Sequence, residues 1–204
     1  ALEFPTFDLF AGPGPPVHAA IRYCVANAER VRRLILWEPT TQIEPPKGPE
    51  WESFVSFAQV NWTAAARLIA DTLAPRASVE VKKFITRIIR ETQSPEWMAA
   101  SSDVTSDVTE LLGRLTPPTL ILAARDDRQI PVTSARAVAS AIPGAQFASI
   151  DEDSAYFCLY HEQIIPVIRD FLADAHGESP GGSGPLKTVL FTDIVGHTEM
   201  MSRL

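Results

Sequence analysis

Two cysteines in 204 residues, Cys24 and Cys158, are too few for a disulfide framework and stand at no metal-ligand spacing. Both lie in apolar surroundings, so two buried thiols of a reducing compartment are the plain reading. Lysine and arginine total 18 against 25 acidic residues and form no block. The resulting net charge of −7 excludes the basic footprint that nucleic acid demands. No apolar run approaches the ~20 residues of a membrane helix. The opening Ala1-Leu2-Glu3 lacks the basic region that starts a secretory leader. What remains is an acidic protein expected in the cytoplasm, with neither nucleic acid nor membrane among its partners.

The composition, 46% hydrophobic and 21% charged, suits one medium domain or one domain plus a fragment. Residues 7–10 read as a strand and residues 17–28 as a helix, with Ala19, Ala20, Tyr23 and Cys24 at helical spacing. "ERVRRLILWEP" returns the chain into a buried strand, 34–37, closed by Pro39. One βαβ unit results, with a right-handed connection expected. Between residues 41 and 115 the pattern turns helical. Phe84, Ile85, Ile88 and Ile89 share a face there, and Ser106 or Asp107 caps a short helix running to Leu112. The strand–helix rhythm then resumes through "PPTLILAARDD", "VTSARAVASAIPGA", "QFASIDED" and "HEQIIPVIRDFLADA". In the last of these Ile164, Ile168, Phe171 and Leu172 face inward and Pro166 sits near the first turn. "HGESPGGSGP" is a linker of small and polar residues.

The stretch "FDLFAGPGPPVHAAIRYC" has the order of a nucleophile-presenting turn, and "ERVRRLILWEP" and "DVTELLGRLTPPTLILAARDDRQIP" follow it. Together these phrases resemble the carboxy-terminal two-thirds of an α/β-hydrolase of the esterase/haloperoxidase kind. The resemblance implies a partial α/β-hydrolase fold over residues 1–175, a mainly parallel sheet with a helical cap at about 41–115. In that family a Ser–Asp–His triad carries acyl transfer, its serine on a G-x-S-x-G elbow. Matching backwards from Ile21 to Tyr23 puts the nucleophile position at Gly14, or at Pro13 if the register slips by one. Neither side chain carries an attacking oxygen or sulfur. Gly and Pro also suit an ordinary loop.

The acid position falls on Asp127, four residues before Pro131, where a solvated strand-end carboxylate is the structural alternative. The base position falls on Ala155 or Tyr156, and His161 lies five or six residues beyond it. The family's leading strands have no counterpart here, so a homodimer or another chain covering the incomplete sheet is expected. A small apolar ligand beneath the cap is expected too, with Trp51, Trp62 and Trp97 near it, although core packing also explains each of the three.

Beyond a linker at 176–187, "TVLFTDIVGHTEMMSRL" is similar to the opening of class III adenylate/guanylate cyclase domains across residues 188–204. The resemblance implies Mg²⁺ held by Asp193 and the backbone carbonyl of Ile194 in a complete cyclase, and no cofactor in this chain. His197 departs from the family's usual serine. The leading expectation is therefore a non-catalytic, hydrolase-like sensory module of a bacterial cyclic-nucleotide signalling protein. The alternative is an active serine-type esterase using His161 and an unmatched Ser or Thr. A truncated product without independent activity is a third reading. A hydroxyl or thiol meeting an imidazole beneath the cap decides against a silent sensor.

Overall fold

The computed structural model describes residues 5–44, 46–101, 104–127, 129–151 and 161–174. In chain order the elements are β1 (Phe7–Ala11), α1 (Pro15–Ala26), a 3₁₀ turn (Ala28–Arg30), β2 (Val31–Trp37), β3 (Gln42–Ile43), α2 (Pro49–Val60), α3 (Trp62–Leu73), α4 (Val79–Thr92) and α5 (Pro95–Ser101). There follow β4 (Ser106–Asp107), α6 (Thr109–Leu112), β5 (Thr119–Ala124), α7 (Val132–Ala141), β6 (Gln146–Ile150) and α8 (His161–Asp174).

Four strands form a parallel sheet in the order β1-β2-β5-β6. Its two inner strands are near-continuous apolar runs, RLILW and TLILAA, because helices cover both of their faces. The period of two then sorts their side chains. Leu34, Leu36, Ile121 and Ala123 pack with α1, α6 and α7, including Ile21, Cys24, Leu112 and Val138. Ile35, Trp37, Leu120 and Leu122 pack on the other side with Ile164 and Phe171 of α8. Ile168 and Leu172 join that side half-buried, as their spacing predicts. Burial pushes the Cys24 thiol up to about 12, so it stays an inert part of the core.

Three expectations need correction. The buried face of α1 carries His18 and Ile21 rather than Ala19, which is exposed. Phe84 leaves the apolar face of α4, where Ile85 and Ile89 alone are fully buried. Pro166 lies in the second turn of α8, inside the helix, where it supplies no N–H to the carbonyl of Glu162.

The insertion between β3 and β4 is helical, and it is narrower than 41–115. Val108, Leu112 and Leu115 belong to the sheet's own core, so the cap proper is α2–α5. Ala66 and Ala70 on α3, and Ala74 at its C-cap, recur every four residues and let Ile85 and Ile89 of α4 approach closely. The long helical phrase 51–74 breaks at Asn61, whose Oδ1 accepts the Ala64 N–H at 3.1 Å and caps α3. Trp51 and Trp62 pack around Ala58, Ala65 and Met98, and Trp97 stands exposed.

Candidate functional site

The carboxyl-terminal end of the sheet gathers the residues matched to hydrolase chemistry. Strand β1 ends at Ala11, and the turn Gly12-Pro13-Gly14 delivers the chain into α1 at Pro15. Gly14 takes φ +78° and ψ −142°, a backbone state that side chains with a Cβ rarely adopt. Gly14, and not Pro13, carries this positive-φ backbone at the corner between strand and helix. A Cβ placed on Gly14 meets nothing within 4 Å, so open space faces the corner. Two chemical parts are missing at this corner. There is no nucleophile at Gly14, and the residue after it is Pro15, which has no N–H to offer an oxyanion.

Asp127 follows β5 at the same end of the sheet. It is not a solvated carboxylate: it is 9% exposed, and its Oδ1 accepts N–H groups from Gln129 at 2.6 Å and Ile130 at 3.0 Å. Glu38, the residue after β2, is fully buried nearby and was not singled out by sequence. Its backbone N–H donates to Leu122 and its Oε1 accepts the Ala124 N–H at 3.1 Å. Its φ of +48° is the one left-handed backbone among the described non-glycine residues. Burial, and then repulsion from Asp127, raises its carboxyl to about 8, so Glu38 is largely protonated at neutral pH.

A second constellation lies where α1 meets the base of the cap. His18 is 2% exposed on the buried face of α1, one helical turn past Gly14. Its Nε2 stands 3.0 Å from the Thr40 carbonyl, which only accepts, so in the neutral ring Nε2 carries the hydrogen. Nδ1 is left with its lone pair, 2.9 Å from Ser106 Oγ on β4. Burial, first among the causes, lowers the His18 pKa and keeps the imidazole neutral at pH 7. Arg22, one turn further along α1, donates to Ser106 Oγ at 3.2 Å and to the Asp107 carbonyl at 2.8 Å.

Ser106 borders an open hollow of about 490 Å³ lined also by Arg22, Gln42, Ile43, Glu44, Thr105 and Asp107. None of the three tryptophans lines it. The Asp107 carboxyl, held by N–H donation from Thr109 and by the Gln42 amide, is lowered to about 2 and stays ionised. Sequence reasoning noticed Ser106 only as a helix cap and passed over His18. The pair is 88 positions apart, and no local pattern joins them.

Ala155 and Tyr156, Cys158, the linker, and Asp193 and Ile194 with the Mg²⁺ they imply all lie outside the described residues, as does the side chain of His161. Among the described residues, no group of three His, Cys, Asp or Glu side chains converges as a metal site. No helix among them is long and apolar enough to cross a membrane.

No protein-family model matches the chain, and no curated protein is similar enough to match it. Solved structures do. The chain is similar to the enol-lactonase from Burkholderia xenovorans LB400, with a TM-score of 0.67 at 16% identity over 83% of this chain and 66% of that one. It is similar to a thermophilic esterase from Thermogutta terrifontis, with a TM-score of 0.64 at 24% identity over 83% and 66%. It is similar also to a bromoperoxidase from Bacillus anthracis, with a TM-score of 0.67 at 16% identity over 83% and 68%. The shared architecture is the α/β-hydrolase fold, and the chain spans 66% of the length of the enol-lactonase.

Proposed function

We propose that this chain is a hydrolase-fold protein that cleaves small polar esters with Ser106 as nucleophile and His18 as base. The observation that carries the reading is the 2.9 Å contact between Ser106 Oγ and His18 Nδ1, with Nε2 anchored on the Thr40 carbonyl. A hydroxyl, a neutral imidazole and a group that orients the imidazole are the parts nucleophilic catalysis requires. A lactonase and an esterase among the similar structures support an active hydrolase over a silent sensor, here with His18 as base instead of the expected His161.

In the reaction, His18 Nδ1 takes the Ser106 proton as Oγ attacks the ester carbonyl. The developing oxyanion lies within reach of the Arg22 guanidinium, whose Nη2 stands 3.2 Å from Oγ. The protonated imidazole then returns its proton to the departing alkoxide and leaves an acyl-serine. Water, deprotonated by the same nitrogen, releases the acid and restores the serine. The Thr40 carbonyl holds the tautomer throughout, as a carboxylate does in a triad.

A chromogenic short-chain ester tests the reading. Turnover above the buffer rate that disappears in Ser106→Ala, together with fluorophosphonate labelling that maps to Ser106, is the expected result. Turnover that persists in Ser106→Ala overturns it.

One observation favours a second reading. With Gly14 and Pro15 at the elbow, the usual hydrolase centre has neither nucleophile nor oxyanion donor. A module that binds without turnover and regulates a cyclase domain starting near residue 188 would need neither. The cyclase connection rests on the 188–204 phrase alone, and none of the similar structures named above is a cyclase. Wild type that leaves the ester intact while a cyclase activity of the longer protein responds to this module supports the second reading.

A further inference from the structure

We propose that docking of the cap stem onto α1 assembles the Ser106–His18 pair, with the Arg76–Asp126 ion pair as a latch that biases docking. The catalytic consequence rests on the reading of Ser106 as nucleophile, whereas the hinge is a property of the fold alone.

The two partners belong to different bodies. His18 lies on α1, which packs through Val17, Ile21 and Cys24 onto the sheet. Ser106 lies on β4, the strand by which the chain returns from the cap. Both connections between cap and sheet run through a stem of two residue pairs, Gln42 with Asp107 and Ile43 with Ser106. Val108, two positions beyond Ser106, is already buried in the sheet's own core. The pivot of the cap therefore falls at Ser106 itself.

Little apolar burial joins the bodies. Among the described residues, the apolar clusters of the cap, one around Ala70 and Ile85 and one around Ala65 and Met98, share no member with those of the sheet. Hydrogen bonds hold the stem to α1 instead. His18 meets the Thr40 carbonyl on the outgoing chain and Ser106 Oγ on the returning one. Arg22 donates to Ser106 Oγ and to the Asp107 carbonyl, and both of its bonds are exposed to competing water. Segments with few buried apolar contacts open at low free-energy cost, and hinges fall at the ends of elements.

The cap meets the sheet again away from the stem. Arg76, in the turn between α3 and α4, stands 3.6 Å from Asp126, just past β5. The two side chains are 70% and 48% exposed, so water and salt weaken the pair. Such a contact biases an equilibrium without locking it. A shift of about 1 Å at the stem is enough to break the 2.9 Å bond between Ser106 Oγ and His18 Nδ1. A serine on the pivot and a histidine on the fixed body thus make the pair sensitive to how the cap sits.

Amide hydrogen exchange and the rate of fluorophosphonate labelling at Ser106, both on the full chain, test the proposal. Arg76→Asp and Asp126→Arg should each slow labelling about two- to fivefold. Each should also speed exchange in the stem, including the Val108 N–H that donates to the Thr41 carbonyl. The charge-exchanged double variant should restore both rates, a rescue that general loss of stability does not give. Glu91→Gln, which breaks an exposed pair inside α4, should change neither. Single variants that match wild type overturn the proposal, and so does a double variant that stays as slow as the singles. Exchange that rises equally in the sheet strands overturns it too. Should wild-type Ser106 take no label, the nucleophile reading fails, and stem exchange alone then decides whether the cap is hinged and latched.

Discussion

His18 and Ser106 meet at 2.9 Å across 88 positions of sequence, and the contact joins helix α1 to the strand that closes the cap. The histidine answers both to Ser106 and to the Thr40 carbonyl, so its removal strips two buried partners at once. His18→Ala should abolish ester turnover and lower stability by about 2–4 kcal/mol, read by chemical denaturation. His18→Gln, which keeps a polar tip, should recover part of the stability and none of the turnover. Full turnover in either variant removes His18 from the mechanism.

The pH dependence of that histidine has a definite sign. Burial lowers its pKa below 6.5, so the folded chain resists protonation that the unfolded chain accepts. Its contribution to stability is present above pH 6.5 and is lost as the pH falls through the folded-state pKa. Turnover should follow the same acid limb, with kcat/KM falling as Nδ1 is protonated. A rate unchanged down to about pH 4 argues against an imidazole base.

Glu38 has the opposite slope. Its carboxyl is raised from 4.5 to about 8, so ionisation favours the unfolded chain as the pH climbs between those values. The penalty is absent below the unfolded pKa and complete above about pH 8, on the order of several kcal/mol. Glu38→Gln removes it while keeping an oxygen for the Ala124 N–H. Melting at about pH 5 and about pH 8 should show a falling Tm in the wild type and a much flatter one in the variant.

Restoring the missing hydroxyl at the elbow should not restore chemistry there. Gly14→Ser has room for its side chain, yet φ +78° strains any residue with a Cβ, costing about 1–2 kcal/mol. Pro15 still withholds the N–H that an oxyanion needs. The expected variant melts a few degrees lower and hydrolyses no faster than wild type. Faster hydrolysis shows that the elbow retains a working base and a second source of oxyanion donors.

Two truncations separate core from surface. Ile121 is fully buried in the middle of β5, and Leu68 is half exposed on α3. Ile121→Ala should cost about 2–5 kcal/mol, while Leu68→Ala should stay within ~0.5 kcal/mol of wild type. Equal losses would place the stability of the chain in the cap instead of the sheet.

Much of the fold was legible in local patterns. The runs 34–37 and 119–124 are apolar at every position because both faces are covered, and such runs need no partner to be read as strands. The resemblance to α/β-hydrolases brought out the parallel sheet with its helical insertion in the right order. The parts that went unread depend on orientation. Ala19 and His18 are neighbours on one helix, and only the docking of α1 decides which of them is buried. Asp127 reads as a solvated acid at a strand end, and Glu38 draws no notice in the sequence, yet both are buried in the fold and burial makes Glu38 hold a proton. Phe84 sits beside Ile85 on α4, but the narrow alanine stripe of α3 leaves room for only one side of that helix.

By itself, the sequence determined that no side chain at Gly14 can attack a carbonyl and that Pro15 cannot donate, because both facts are covalent. It also determined the parallel sheet, since apolar runs and their spacing are local properties of the chain. The meeting of His18 with Ser106, and the burial of Glu38 and Asp127, were decided only by tertiary structure. Side chains 88 positions apart come into reach only when strand register and helix docking bring them there, and no short stretch of residues encodes that distance.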